Sequence, residues 1–221
     1  MIRVFPQLLS GAVLTIEITA LSVFFGTLIG LFISLGKLSE YKVLRIPANI
    51  YVEVTRGTPL FVQILLFYFG LPGLVSGITK QPFRIEPLIA AVVVCSLNSG
   101  AYVAEIFRAG IQSIDRGQME AARSLGMTRR TAMRHVILPQ AFKRVLPPLG
   151  NEFIALLKDT SILAVIGVQE LTRRGQLYVA TSYASFPTYI GVALMYLILT
   201  LSISRVVAHL ERRYAVSDRS S

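Results

Sequence analysis

The chain is 221 residues long, 53% apolar and only 15% charged, against about 25% charged in an ordinary globular domain; its mean hydropathy is +0.62. The single cysteine, Cys95, excludes an internal disulfide framework and any multi-cysteine metal site. A net charge of +10 calls for an anionic partner, either nucleic acid or an anionic membrane, and the scarcity of charge makes lipid part of the solvent.

In chain order, Leu8 to Gly36 is a 29-residue run whose only charge is Glu17. It exceeds the roughly 20 residues that cross a bilayer as helix and is too long for a signal-peptide core. Gly57 to Thr79 carries no charge, but Pro72 and its neighbouring glycines predict that the helix ends near Gly70. Pro87 opens a third charge-free run, to Ala104, at a position suited to a first helical turn. Val145 to Gly167 is interrupted by Glu152, Lys158 and Asp159, so it reads as a span shielded inside a bundle. A last apolar helix starts near Pro187 and continues to His209.

These segments predict an all-α integral membrane protein, one domain over 1–221, with spans at about 8–36, 57–79, 87–107, 145–167 and 187–209 and a loop at about 108–144. Sixteen of the 22 lysines and arginines fall on one side of that arrangement and six on the other, the latter being Arg3, Lys80, Arg84, Lys158, Arg173 and Arg174. The positive-inside rule then places the N-terminus outside and the C-terminus in the cytoplasm. The same asymmetry explains the basic balance without nucleic acid.

The largest cytoplasmic loop contains "EAARSLGMTRRTAMRHVILPQAF", Glu120 to Phe142. Gly117 to Leu125 is a short helix ended by Gly126 in a left-handed cap. Thr128 caps a second helix, which runs toward Leu138 and is stopped by Pro139. The pair has the shape of a helix-turn-helix, but spans on both sides pin it to the membrane surface, away from any duplex groove.

Glu120-Ala121-Ala122, then Gly126, then Val136-Ile137-Leu138-Pro139 resembles the EAA loop of ABC importer permeases. The usual form has isoleucine where this chain has Val136. "TRGTPLFVQILLFYFGLP" (Thr55 to Pro72) and "NEFIALLKDTSI" (Asn151 to Ile162) look like the permeases for polar amino acids. The resemblance implies a type I importer half-channel with five transmembrane helices and a cytoplasmic coupling helix, multi-pass in the cytoplasmic (inner) membrane. It implies that Glu120, Ala121, Ala122, Arg123, Gly126, Met127, Arg130 and Pro139 dock on a separate cytoplasmic ATPase subunit. Ala121 and Ala122 would let that partner approach closely, with Glu120 and Arg123 at the rim. Further implied partners are a second permease chain, an extracytoplasmic solute-binding protein, an amino-acid substrate and membrane lipid. The motifs do not select among basic, acidic and amide amino acids, nor between an identical and a paralogous second chain.

The chain has no ATP site of its own, because its only Gly-Lys pair, Gly36-Lys37, is followed by Leu38 where a P-loop needs Ser or Thr. ATP and magnesium therefore belong to the partner, no catalytic or metal residue is expected here, and the chain is not expected to be an enzyme. Polar residues within spans point to a solute path. Asn98, Tyr102 and Glu105 share one helix face, and a structural role is expected for Glu105 and Glu152. Asn98, Lys158, Asp159, Thr160 and Ser161, with Tyr68 on span two, are candidates to line the path. Lys158 with the Thr160 and Ser161 hydroxyls would hold a carboxylate and Asp159 an ammonium group. The segment Val168 to Pro187 reads as an interfacial loop that, with the 71–86 loop, receives the solute-binding protein, Arg173 and Arg174 meeting its acidic rim. The alternative is a stand-alone channel or secondary transporter for small polar solutes, which has no use for an EAA pattern.

Overall fold

The computed structural model describes residues 5–215; Arg3 and Arg219, counted in the charge balance above, lie outside them. In chain order the elements are α1 (Phe5–Lys37), α2 (Lys42–Gly57), α3 (Leu60–Leu65), a π turn (Leu66–Gly70), α4 (Leu71–Thr79) and α5 (Pro87–Gln112). There follow α6 (Arg116–Ser124), α7 (Arg129–Ala132), a second π turn (Met133–Ile137), α8 (Leu138–Asp159), a 3-10 stretch (Thr160–Ile166), α9 (Leu171–Ser182) and α10 (Ser185–Ala215).

Four helices among the described residues are long and apolar enough to cross a membrane: Phe5–Lys37, Leu60–Thr79, Pro87–Gln112 and Ser185–His209. The expected fourth span, 145–167, falls on α8 and the stretch after it, which are not among these four helices. Helix α8 ends at Asp159 and tightens into the 3-10 stretch up to Gly167, which is left-handed at φ 86°. Two segments that the sequence leaves irregular are helical: Lys42–Gly57, and Leu171–Ser182 within the expected interfacial loop.

The prolines correct the predicted boundaries in the same way twice. Pro72 does not end its helix near Gly70, and Pro139 does not stop the helix that Thr128 starts. A proline lacks N–H and its ring crowds the carbonyl four residues back. Each time a π turn precedes it and loosens the ladder there: Leu71 N donates to Leu66 O, and Leu138 N to Met133 O. Helical conformation therefore continues from Leu60 to Thr79 and from Arg129 to Asp159.

The most extensive pairing is α1 on α5, running in parallel. Along α1 the buried residues Ser22, Gly26, Gly30 and Ser34 recur every fourth position. Such small residues let two helix backbones close up where lipid supplies no hydrophobic drive between helices. A Cβ at Gly26 would lie 2.9 Å from Ser99 Cβ. At the far end of this seam Lys37 and Arg108 both hold Glu105, with Arg108 Nη2 at 2.7 Å, which supports the structural role expected of that carboxylate. Helix α8 packs on α5 and α10, while α9 bridges α1 and α10. Ile18, Ile64, Ala91, Cys95, Leu156 and Leu163 form the main core. Large apolar side chains such as Phe24, Phe32, Leu74 and Ile198 remain exposed on the outer faces, as expected of helices solvated by lipid tails.

Candidate functional site: the coupling segment and the polar groove

Helix α6 starts at Asp115, whose Oδ1 accepts from Gly117 N at 2.7 Å. It ends in a Schellman arrangement: Met127 N donates to Ala122 O at 3.2 Å and Gly126 N to Arg123 O at 3.0 Å. The Met127 bond requires the left-handed backbone of Gly126, at φ 84°. Thr128 then caps α7, its Oγ1 accepting from Thr131 N at 3.2 Å. A small core of Ile114, Ile137 and Ala141, backed by Met119 and Met133, clamps α6 to the second π turn. The segment is thus a rigid elbow rather than a loose loop.

The clamp fixes what a partner can touch. Glu120, Ala121, Arg123 and Arg130 are exposed and Met127 is half-buried, but Ala122 is 6% exposed. Ala122 therefore serves the elbow's own packing, since adjacent helical residues point about 100° apart, and only Ala121 offers a small surface to a neighbour. Leu125, which the sequence reading did not single out, stands 83% exposed at the tip. Glu120 takes part in none of the three ion pairs found among the described residues; Arg129 bonds Glu40 at 3.1 Å. Pro139 is exposed within the first turn of α8.

A polar groove lies between α2, α5 and α8. One cavity of about 460 Å³ is lined by Arg56, Asn98, Tyr102, Glu152 and Asp159. A second, of about 570 Å³, shares Arg56, Tyr102 and Glu152 and extends to Glu105 and Arg144. The predicted α5 face of Asn98, Tyr102 and Glu105 looks into this groove. Arg56, counted above among the cytoplasmic loop cations, lies in the groove with its guanidinium 5.2 Å from the Tyr102 ring centroid, a cation–π distance. Asn98 is part of the wall: its Nδ2 donates to Gln63 Oε1 at 3.1 Å, and Gln63 Nε2 donates to Thr55 O at 2.8 Å across the α2–α3 kink.

The remaining path candidates fall elsewhere. Tyr68 and Ser161 line a separate cavity of about 710 Å³, with Phe61, Phe69, Arg173 and Gln176. Thr160 is corrected: it is fully buried and its hydroxyl donates to Leu157 O at 2.7 Å, so it has no face toward either cavity. Lys158 is exposed and lines neither. Consecutive helical residues point about 100–120° apart, so the expected clamp of Lys158, Thr160 and Ser161 facing Asp159 is not assembled. Arg173 and Arg174 also diverge. Arg173 lines the cavity of Tyr68 and Ser161, whereas Arg174 lies against Gly11 of α1 with its Nε buried and without a hydrogen-bond partner.

An elbow of this geometry, continuous with a bundle of apolar helices around a polar groove, defines a multi-pass membrane permease. The chain belongs to the family of binding-protein-dependent transport system inner membrane components, whose model matches residues 26–216, and it is a permease subunit of an ABC importer. It is 42% identical over 211 residues to the glutamine transport system permease protein GlnP of Escherichia coli K12, covering 96% of this chain and 94% of that one. It is 39% identical to the arginine transport system permease protein ArtQ of Bacillus subtilis, at 96% and 94% coverage. The crystal structure of an amino acid ABC transporter with histidines superposes with a TM-score of 0.91 at 47% identity, covering 96% of each chain. The inward-facing MetNI methionine transporter, at 21% identity and a TM-score of 0.76, shares the fold.

Proposed function

We propose that this chain is one half of the membrane channel of an importer for polar amino acids, driven by ATP hydrolysis in a separate cytoplasmic subunit. The observation that carries the reading is continuity. The elbow of α6 and α7 passes without a loop into α8, which bears Glu152 and Asp159 on the groove. Closure of two ATPase subunits on binding ATP and magnesium would press on Ala121, Leu125 and their exposed neighbours. The displacement would then reach the groove along one helix, a population shift fed by the partner's differential affinity for two states. A second permease chain completes the path, because the groove is open on one side of a single chain. A solute-binding protein delivers the cargo from outside, with the N-terminus on that side and the C-terminus in the cytoplasm.

The names of the relatives, glutamine and arginine permeases, agree with a cargo carrying both a carboxylate and an ammonium group. In the groove Asp159 and Glu152 supply acceptors for the ammonium, Arg56 a donor for the carboxylate, and Asn98 and Tyr102 shape the wall. Tyr68 and Ser161 line the other cavity through which such a solute passes. Co-expression with a candidate ATPase and a candidate solute-binding protein, followed by purification and uptake of labelled glutamine and arginine into proteoliposomes, tests this. A stable complex with ATP-dependent uptake is expected. Uptake that proceeds without any ATPase subunit would refute the coupling, and an active complex indifferent to both solutes would refute the cargo class.

A further inference from the structure

Glu170 is a fully buried carboxylate at the junction of three helices. Its Oε1 accepts from Arg173 N at 2.7 Å, and its Oε2 accepts from Thr172 N and from the Tyr196 hydroxyl of α10, both at 2.8 Å. The next residue, Leu171, donates its N–H to Thr15 Oγ1 of α1 at 3.2 Å. Gly11 makes room for this crossing, since a Cβ there would stand 2.8 Å from Leu171 Cα. No cation pairs with Glu170 among the described residues. Burial pushes its carboxyl above the usual carboxylate range, against the pull of the two backbone amides and Tyr196.

A helix N-terminus alone would be capped as well by Ser, Thr, Asp or Asn, without the cost of burying a larger acid. What a glutamate adds is reach: it caps α9 and grips α10 with the same group. Arg173, two positions into α9, is thereby aimed at the cavity that Tyr68, Ser161 and Gln176 also line. Its Nη1 donates to Gln176 Oε1 at 3.1 Å, and among the described residues no carboxylate neutralises it. We propose that Glu170 is a positioning residue that fixes α9 so that Arg173 presents an unneutralised cation to that cavity, which attracts the carboxylate of the incoming solute. Only the identity of that solute rests on the amino-acid reading above.

The test reads the field of Arg173 directly, without the cargo. Ser161→Cys in the assembled importer, in membrane vesicles, is modified with anionic methanethiosulfonate ethylsulfonate and with its cationic trimethylammonium counterpart. Cys95 is buried, and its background is measured on the parent protein. The ratio of the two rates is divided by that of free cysteine. For a unit charge roughly 7 Å from the sulfur in bulk water, the anionic reagent is favoured about sevenfold. That preference is expected in Ser161→Cys, to vanish when Arg173→Gln is added, to vanish with Glu170→Ala and to fall partway with Tyr196→Phe. Where Glu170→Ala does not reach the membrane, Tyr196→Phe decides, since it removes only the α10 grip. No preference in Ser161→Cys, or a preference that survives Arg173→Gln, overturns the anion-attracting cavity. A preference lost with Arg173→Gln but intact in the Glu170 and Tyr196 variants overturns the positioning role. Loss of amino-acid uptake in an importer whose reagent preference is intact would tell against the cargo reading and leave this one standing.

Discussion

Replacing Gly30 by alanine tests whether the small-residue seam is what lets α1 and α5 lie side by side. The added Cβ would stand 2.6 Å from Val103 Cγ1, 2.7 Å from Val103 Cβ and 2.9 Å from Ala104 N. Carbon atoms rest about 3.5–4.0 Å apart, so the two helices must separate by roughly 1 Å. A rotamer change cannot relieve the clash, because Ala104 N is backbone and valine has little freedom at χ1 in a helix. Overpacking of this kind costs about 1–3 kcal/mol. At about 2–4 °C per kcal/mol for a chain this long, the apparent melting temperature falls by about 2–12 °C. Gly77→Ala is the control, since nothing lies within 4 Å of its added methyl and alanine is the better helix former. The assay is thermal melting of both variants in one detergent, followed by size-exclusion chromatography of the surviving monodisperse fraction. Gly30→Ala melting with the parent, or Gly77→Ala falling as far, would refute the close-packed seam.

Other predictions follow from the same geometry. Glu105→Gln leaves Lys37 and Arg108 facing each other at the end of that seam and should cost about 1–3 kcal/mol, between an exposed and a fully buried pair. Adding Lys37→Met should restore part of that loss in the same melting assay, and a double variant no better than the single one would show that the cluster is not a unit. Leu125→Asp places a charge on the exposed tip of the elbow. It should leave insertion and melting unchanged while lowering co-purification of the ATPase at least tenfold, whereas unchanged recovery would remove Leu125 from the contact. Gly126→Ala strains a left-handed backbone at φ 84° by about 1 kcal/mol, and should reduce ATP-dependent uptake more than it reduces the amount of folded protein in the membrane. Asp159→Asn should weaken uptake more than assembly, while equal loss of both would make it a structural carboxylate.

What the sequence made legible was whatever depends on local chemistry. Gly126 as a left-handed cap, Thr128 as an N-cap and the common face of Asn98 and Tyr102 each follow from a few adjacent residues. The boundaries at Pro72 and Pro139 were not legible, because a π turn loosens a helix before a proline without any residue type that announces it. Which alanine of the elbow faces outward depends on how α6 packs against α7 and the second π turn, a contact made only in the folded segment. The expected clamp around Lys158 and Thr160 failed because it grouped consecutive residues by chemistry, whereas neighbours on a helix point different ways: Lys158 is exposed and Thr160 is buried. Arg56 was read as a loop charge because nothing in the sequence shows α2 turning it back into the groove. Glu170 escaped notice as an acid in a polar stretch, and its partner Tyr196 lies on another helix.

The unbroken helix from Arg129 to Asp159 has a mechanical consequence. At 1.5 Å per residue it is a rod roughly 45 Å long, with the elbow at one end and Glu152 and Asp159 at the groove toward the other. It is not uniformly stiff, however. Pro139, Pro147 and Pro148 contribute no N–H to its ladder, and a π turn sits just before the first of them. Bending compliance is therefore concentrated over residues 133–148, with regular helix beyond them. A push at the elbow would flex that stretch, while the regular helix from Leu149 to Asp159 would move as one stiff piece and carry Glu152 and Asp159 together.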